Sequence, residues 1–293
     1  MPNYILLSFL AAVSFALAGV FNKFTSKHII KERWPLLFYY YVTFIPFIFL
    51  IPFFAKVQIP IGSWPILFLY SLFFFLGNIC FFTAIFKTDA SVFAPFFQLQ
   101  AAFIAVLAFM FLGERFPLTN YLWIGLILAG AILLSLDERM TLKTFFQRTI
   151  LLVIIMQFFH AVANLYAGFA LKTMNFWNLT FWSTLVSTIL VLAIVPLMAK
   201  FKLKVSFNQL KPLFLVNFFS FIGATSLFAA FQTNLTISSA ISLLTAPIVL
   251  LISILLSKFR PEFLEHHTGK VYIIRTVAMT LILLGALKIS LAG

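Results

Sequence analysis

Charged residues are scarce in this chain, and acidic residues are the scarcest. Only 9% of its 293 residues are charged, with seven Asp or Glu against 20 Lys or Arg, whereas 63% are hydrophobic. Soluble domains average about 25% charged residues. So little charge excludes an ordinary soluble domain, and the mean hydropathy of +1.11 favours a membrane protein.

The basic excess does not indicate a nucleic-acid partner. A net charge of +13 would favour one in a soluble protein. Here the basic residues lie in short connections between apolar runs and form no contiguous face. The expected partners are therefore the lipid bilayer and a small-molecule substrate, with no nucleic acid, and a homodimer is compatible with the sequence.

Cysteine and catalytic motifs are also nearly absent. The single cysteine, Cys80, excludes an intrachain disulfide and a zinc knuckle. The sequence has no Gly-x-x-x-x-Gly-Lys-Ser/Thr motif, so it contains no P-loop for nucleotide binding and hydrolysis. His266 and His267 stand together in a connection, without partners at zinc-ligand spacing. We predict no catalytic, cofactor-binding or metal-ligating residues, and we expect the chain not to be an enzyme.

Long apolar runs make up most of the chain. A helix needs about 20 residues to cross a hydrocarbon core of about 30 Å, and the runs do not alternate as membrane strands would. The first run, which no Lys or Arg precedes, is interpreted as a retained helix rather than a signal peptide. We predict an all-α integral membrane protein with ten transmembrane helices, at about 4–22, 35–55, 64–86, 91–112, 119–136, 149–171, 176–199, 211–233, 237–257 and 270–291.

Basic residues favour one side of the membrane. Sixteen of the 20 lie in or beside connections that follow odd-numbered spans, and the other four are Lys56, Arg115, Lys172 and Lys288. Cytoplasmic loops of membrane proteins are enriched in Lys and Arg. The distribution predicts that the odd connections face the cytoplasm and that both termini lie outside a multi-pass protein of the plasma membrane.

A weak internal repeat divides the chain. Two apolar spans form a helical hairpin around Gly113–Pro117, and a shift of 148 residues places Ser91 on Ser239 and Glu114 on Glu262. A match at half the chain length is typical of duplicated transporters, whose halves enclose a site at the membrane midplane.

The residues of this hairpin resemble a known repeat. Ala90-Ser91, a long apolar helix, Leu112-Gly113-Glu114-Arg115, and a helix with Gly125 and Ala129-Gly130 together resemble the EamA-type repeat of the drug/metabolite transporter (DMT) superfamily. In the second half, Arg260-Pro261-Glu262-Phe263 stands where Leu-Gly-Glu-Arg would be.

The resemblance implies a fold and a broad activity. It implies two inverted five-helix repeats, at 1–140 and 141–293, around a central cavity lined by helices 1, 3, 4, 6, 8 and 9. Helices 5 and 10 would lie at the periphery, and transport would proceed without ATP hydrolysis. Many relatives are thought to keep both termini in the cytoplasm, which conflicts with the charge distribution above.

Uncharged polar side chains inside the spans are the candidates for a substrate pathway. The sequence places no Asp, Glu, Lys or Arg near the middle of a span, which argues against carboxylate-coupled cation antiport. His160 is the titratable exception, and Gln157 and Asn164 share its helical face. We expect His160 to be neutral, with one nitrogen donating and the other accepting a hydrogen bond. The alternative is an interhelical hydrogen bond, worth about 0.6 kcal/mol.

Further pathway candidates lie in other spans. Gln98 and Gln100 lie about 200° apart on a helix and cannot both face one cavity. Gln98 is preferred because the 148-residue shift aligns it with Ala246, beside a possible helix break. Pro247 follows a stripe of hydroxyl residues and marks a helix that we expect to be locally opened. Tyr39–Tyr41 lie near a span end and are assigned to an interfacial aromatic belt. The remaining candidates are Ser14, Asn78, Trp182, Asn217, Ser242 and Thr245.

Together these features predict a secondary transporter of a small polar or amphipathic metabolite, which works by alternating access. An uncharged cavity favours zwitterionic or neutral solutes, such as amino acids. The alternative is a non-transporting membrane protein, either a lipid-handling enzyme or a structural partner. Such an enzyme would need a clustered nucleophile and base or a set of metal ligands, which Cys80 and a lone His160 do not supply.

Overall fold

Helices account for all regular structure in the described part of the chain. The computed structural model describes residues 3–87, 99–113, 117–134, 148–198 and 205–258, with a few single positions between 273 and 288. The helices are α1 Asn3–His28, α2 Arg33–Ile48, α3 Ile51–Phe54, α4 Trp64–Ile85, α5 Leu99–Leu107, α6 Leu118–Leu134, α7 Arg148–Ala170, α8 Phe176–Met198, α9 Phe207–Phe231, α10 Leu235–Ser242 and α11 Thr245–Ser257.

Seven segments are long and apolar enough to cross a membrane, and they match seven of the ten predicted spans. They are Asn3–His28, Arg33–Phe54, Trp64–Ile85, Leu151–Ala170, Phe176–Pro196, Phe207–Phe231 and Leu235–Leu256. Spans four and five correspond to the shorter apolar helices Ala102–Leu112 and Leu118–Gly130. Span ten falls largely outside the described residues. The prediction of an all-α, multi-pass membrane protein is confirmed, and the count of ten helices stays a prediction.

Two spans are interrupted, each beside a proline. The expected opening near Pro247 is confirmed, since α10 ends at Ser242 and α11 begins at Thr245. The break is a tight turn, in which the backbone N–H groups of Leu243 and Leu244 donate to carbonyls one turn earlier in α10. In span two, α2 ends at Ile48, just after Pro46, and the short helix α3 continues the segment. Proline has no N–H for the helical ladder, which favours a break at both places.

Glycine ends the fourth span. A π-helical turn, Ala108–Leu112, extends α5, and Gly113 follows it at φ +70°. Only glycine takes this left-handed conformation without steric cost, and it is the usual residue at a helix C-terminus. Gly113 therefore begins the predicted hairpin connection, whose Glu114 and Arg115 lie outside the described residues.

The most extensive helix contacts join α1 to α9 and α4 to α7. Each pair includes a glycine that faces an aromatic ring. Gly223 of α9 faces Phe15 of α1, and Gly77 of α4 faces the imidazole of His160 on α7. A Cβ atom at either glycine would overlap the facing ring. These close approaches explain why both positions carry glycine inside long helices.

The remaining contacts follow the same crosswise scheme. Helix α1 also packs against α10 and α11, as α7 packs against α5. Helix α2 packs against α9, as α8 packs against α4, and α2 and α8 contact each other. The contacts are therefore symmetric between the two halves of the chain. When spans one, two, three and four are exchanged with spans six, seven, eight and nine, each helix contact described above becomes another of these contacts or itself.

Candidate functional site

A cavity of about 330 Å³ lies between the helices. Its wall takes residues from α1, α2, α4, α5, α7, α8 and α9 and from the interrupted segment α10–α11. The expected lining by helices 1, 3, 4, 6, 8 and 9 is therefore incomplete, because spans two and seven also contribute. Helices α2 and α8 pack against each other and close the bundle beside the cavity. Among the described residues, α6 supplies none of the wall, in line with a peripheral fifth helix.

The wall of this cavity is polar and aromatic but carries no formal charge. Among the described residues that line it there is no Asp, Glu, Lys or Arg. The polar groups are amides, hydroxyls and one imidazole. The phenyl and phenol rings belong to Phe15, Tyr40, Tyr41, Phe44, Tyr70, Phe74, Phe81, Phe82 and Phe228.

The structure brings Gln157, His160 and Asn164 together on the cavity side of α7. Their spacing of three and four residues places them on one helical face. Phe158, which points away from this face, is 43% exposed on the outside of the bundle. Gln157 is fully buried, and neither its amide nitrogen nor its amide oxygen has a hydrogen-bond partner.

The His160 imidazole packs against the helix α4. Its ring lies over Gly77 and stands 5.5 Å from the ring of Phe74, measured between centroids. Its Nε2 is buried and has no hydrogen-bond partner. The expectation that both nitrogens take part in hydrogen bonds is therefore not met at Nε2. Gly77 leaves room for the ring but has no side chain that could donate to it or accept from it.

Asn78 joins the wall beside a tyrosine cluster. Its amide nitrogen donates to the Tyr41 hydroxyl at 2.7 Å, and Ser220 forms a hydrogen bond with Tyr40. The assignment of Tyr40 and Tyr41 to an interfacial belt is wrong, since both line the cavity and Tyr41 is only 3% exposed. Helix α2 begins at Arg33, and eight residues of helix, about 12 Å, carry the Tyr41 ring into the bundle.

Ser242 and Thr245 line the cavity on either side of the α10–α11 break. The Thr245 hydroxyl donates to the Ser242 carbonyl at 2.7 Å, and the Ala12 carbonyl of α1 lies 3.3 Å from the same oxygen. The Ser242 hydroxyl donates to the Ser239 carbonyl at 2.7 Å. The interrupted segment is thus held both to itself and to α1.

Three predicted pathway residues lie away from the cavity wall. Asn217 is fully buried, and its amide nitrogen donates to the Thr43 hydroxyl at 2.7 Å, which ties α9 to α2. The Trp182 indole donates to the Gln58 carbonyl at 2.7 Å, under the connection before α4. Ser14 is buried within α1. Gln98 lies outside the described residues, whereas the less favoured Gln100 lines the cavity.

Sequence reasoning missed several residues of the wall. Thr180, Ser183, Thr184 and Ser187 form a hydroxyl stripe along α8, at the i, i+3, i+4 and i+7 spacing that marks one helical face. That spacing is a signal that could have found them. Asn22 of α1 also lines the cavity and is buried, with its amide oxygen unpaired. It is the last residue of the predicted span 4–22, whereas the predicted pathway residues lie deeper in their spans.

The fold and the cavity together indicate the class of protein to which the chain belongs. Several apolar helices cross a membrane and surround an internal, uncharged polar site of small-molecule size. Residues 2–136 match the model of the EamA-like transporter family. This match confirms the suspected resemblance to the EamA-type family of the DMT superfamily over residues 2–136, just under half of the chain.

Comparison with solved structures extends the fold to nearly the whole chain. One solved structure, described as "Crystal structure of protein", superposes with a TM-score of 0.70 at 14% identity. The match covers 99% of this chain and 97% of that one. At this identity the likeness shows the fold alone. No curated protein matches the sequence.

Proposed function

We propose that the protein is a secondary transporter that moves a small polar or amphipathic metabolite across the cell membrane without ATP hydrolysis. The observation that carries this proposal is the cavity of about 330 Å³, walled by uncharged polar and aromatic side chains from eight of the predicted spans. Small-molecule sites occupy about 300–1,000 Å³, so the cavity suits a compact solute. The EamA family is a family of transporters, which agrees with this use of the site.

The crosswise helix contacts support two repeats, at 1–140 and 141–293, in a ten-helix bundle. Span one packs on span eight as span six packs on span three, and the contacts of spans four and nine correspond in the same way. A duplicated chain with two similarly folded halves has this pattern. The cavity lies where the two halves meet, as midplane sites of duplicated transporters do.

Alternating access follows from rocking one half against the other around the cavity. The connection at 55–63 supplies a contact that such a movement breaks. The Gln58 N–H donates to the Asn178 side-chain oxygen at 3.1 Å, and the Ser63 and Thr173 hydroxyl oxygens lie 3.1 Å apart. These bonds, with the Trp182 indole, hold the connection across the ends of α7 and α8. In the transport cycle this contact opens to admit or release the solute.

The absence of charge among the described wall residues determines which solutes we expect the cavity to bind. A buried anion would require a cation beside it, and a buried cation a carboxylate. The solute is therefore neutral or zwitterionic, with amides, hydroxyls and ring faces for recognition. A homodimer in the bilayer is part of the proposal as well, and its test is the molecular mass of the purified protein in detergent.

The test is transport by the purified full chain in liposomes. The expected result is saturable uptake or counterflow of at least one neutral or zwitterionic metabolite from a broad panel, above that of empty liposomes. Normal folding without movement of any panel member would contradict the proposal. The described residues offer no observation in favour of the alternative, a non-transporting membrane protein.

A further inference from the structure

The strongest unexplained feature of the cavity is the Gln157 side chain. It is fully buried at the cavity wall, and its amide nitrogen and amide oxygen both lack a hydrogen-bond partner. Buried polar side chains are nearly always paired, and an exception calls for a reason. A donor and an acceptor left unpaired side by side form an edge that can take two hydrogen bonds at once.

Three hydroxyl groups of the cavity wall already donate their hydrogen to the protein backbone. The hydroxyls of Thr180, Ser239 and Ser242 donate to backbone carbonyls of their own helices. Their oxygens can therefore only accept from a solute in the cavity. The buried Asn22 amide oxygen is unpaired as well.

The other constraints on a solute are charge and shape. No charged side chain lies among the described residues of the wall, so a solute with a net charge would find no counter-ion there, and an uncharged solute needs none. Phenyl and phenol rings from several helices supply flat apolar faces. Such faces favour a planar solute that packs between them.

We infer that the cavity binds an uncharged, planar solute whose edge carries a hydrogen-bond donor next to an acceptor, as in a primary carboxamide, a lactam or a nucleobase. This inference rests on the proposed transport function and specifies its substrate class. Gln157 pairs with that edge through two antiparallel hydrogen bonds, as glutamine does with adenine in nucleic-acid recognition. Further N–H groups of the solute donate to the hydroxyl and Asn22 oxygens.

The experiment compares solutes that share one ring and differ only at the edge. Equilibrium binding of benzamide, N,N-dimethylbenzamide and benzoate is measured on the purified full chain in lipid nanodiscs, with uracil and 1,3-dimethyluracil as a second pair. Benzamide and uracil should bind at least about tenfold more tightly than their methylated or charged analogues, which corresponds to about 1.4 kcal/mol. Equal binding within both sets, or no binding of benzamide and uracil, would overturn the inference.

A matched pair of variants assigns the preference to one residue. Gln157→Met keeps the length of the side chain and removes its polar edge, and it should abolish the preference. Gln232→Met makes the same change at an exposed position at the end of α9 and should leave the preference intact. A Gln157→Met protein that is folded and keeps the preference contradicts the assignment. If that variant does not fold, the comparison of solutes on the unaltered chain decides.

The outcome separates this inference from the proposed function. Binding of benzamide or uracil without uptake into liposomes would support the substrate edge and contradict transport. Transport of other solutes by a protein that binds neither benzamide nor uracil would contradict the substrate class and leave the transporter in place.

Discussion

At the residue scale, His160 combines a role in packing with a place in the cavity wall. Its ring rests on Gly77, and its position one turn from Gln157 keeps it beside the proposed substrate edge. An interhelical hydrogen bond in a membrane protein is worth about 0.6 kcal/mol on average, and the buried Nε2 here has no partner. Its contribution to stability is therefore expected to be small.

We expect His160→Ala to lower the initial transport rate at least about tenfold, with only a small change in the midpoint of thermal unfolding in detergent. Rates are normalised to folded protein. Phe158→Ala, on the outward face of the same helix, serves as the control and should transport nearly normally. Normal transport by a His160→Ala protein that melts much earlier would show that the residue only holds helices together.

The contact between Gly77 and His160 gives a second prediction. Gly77→Ala places a methyl group within the space of the imidazole, so it should destabilise the α4–α7 pair and displace the ring. In a His160→Ala background the same substitution has room and should cost much less. A double-mutant cycle measured by unfolding in denaturant should show a coupling of about 0.5–3 kcal/mol. Additive effects would mean that the two residues do not touch in the membrane.

At the scale of elements, the connection at 55–63 is the segment that alternating access must release. Ser63→Cys with Thr173→Cys, in a Cys80→Ala background, should form a disulfide on oxidation, because the two hydroxyl oxygens lie 3.1 Å apart. We expect oxidation to stop transport and a reducing agent to restore it. The two single-cysteine proteins are the controls, and oxidation should not affect them.

Two results would count against this view of the connection. A disulfide that forms fully without slowing transport would show that the contact need not open. If no disulfide forms even under oxidising conditions, the connection does not lie against the end of α7 in the membrane.

At the scale of the whole molecule, two arguments predict opposite orientations of the chain in the bilayer. The basic residues favour cytoplasmic odd connections, whereas relatives are expected to have both termini inside the cell. Lys27, near the end of α1, and Lys172, after α7, are exposed positions on opposite sides of this scheme.

Single cysteines at these two positions, in a Cys80→Ala background, report the orientation in intact cells. We expect a membrane-impermeant maleimide to label Lys172→Cys from outside, and Lys27→Cys only after permeabilisation. The reverse labelling pattern would indicate the opposite orientation, with both termini in the cytoplasm. Labelling of neither cysteine before permeabilisation would indicate that both positions are shielded, and it would contradict the predicted exposure of Lys172.

The fold class and the limits of most helices could be predicted from the sequence. In a bilayer core the backbone has no water to bond with, so an apolar run of sufficient length forms a helix. The described helices therefore begin and end within a few residues of the apolar runs, and the break before Pro247 follows from the missing N–H. Gln157, His160 and Asn164 could be found because amides and an imidazole are costly on an otherwise apolar helix.

The tertiary structure decided which faces of the helices enclose the cavity. In a soluble helix the apolar face marks the interior, but lipid is as apolar as a protein core, so hydrophobic periodicity does not distinguish the two sides of a membrane helix. Tyr41 and Trp182 could each occupy an interface, a cavity or a helix contact. Only packing placed Tyr41 against Asn78 in the wall and Trp182 under Gln58. The unpaired edge of Gln157 likewise appears only once the neighbouring helices are in place, because pairing depends on what lies across from it.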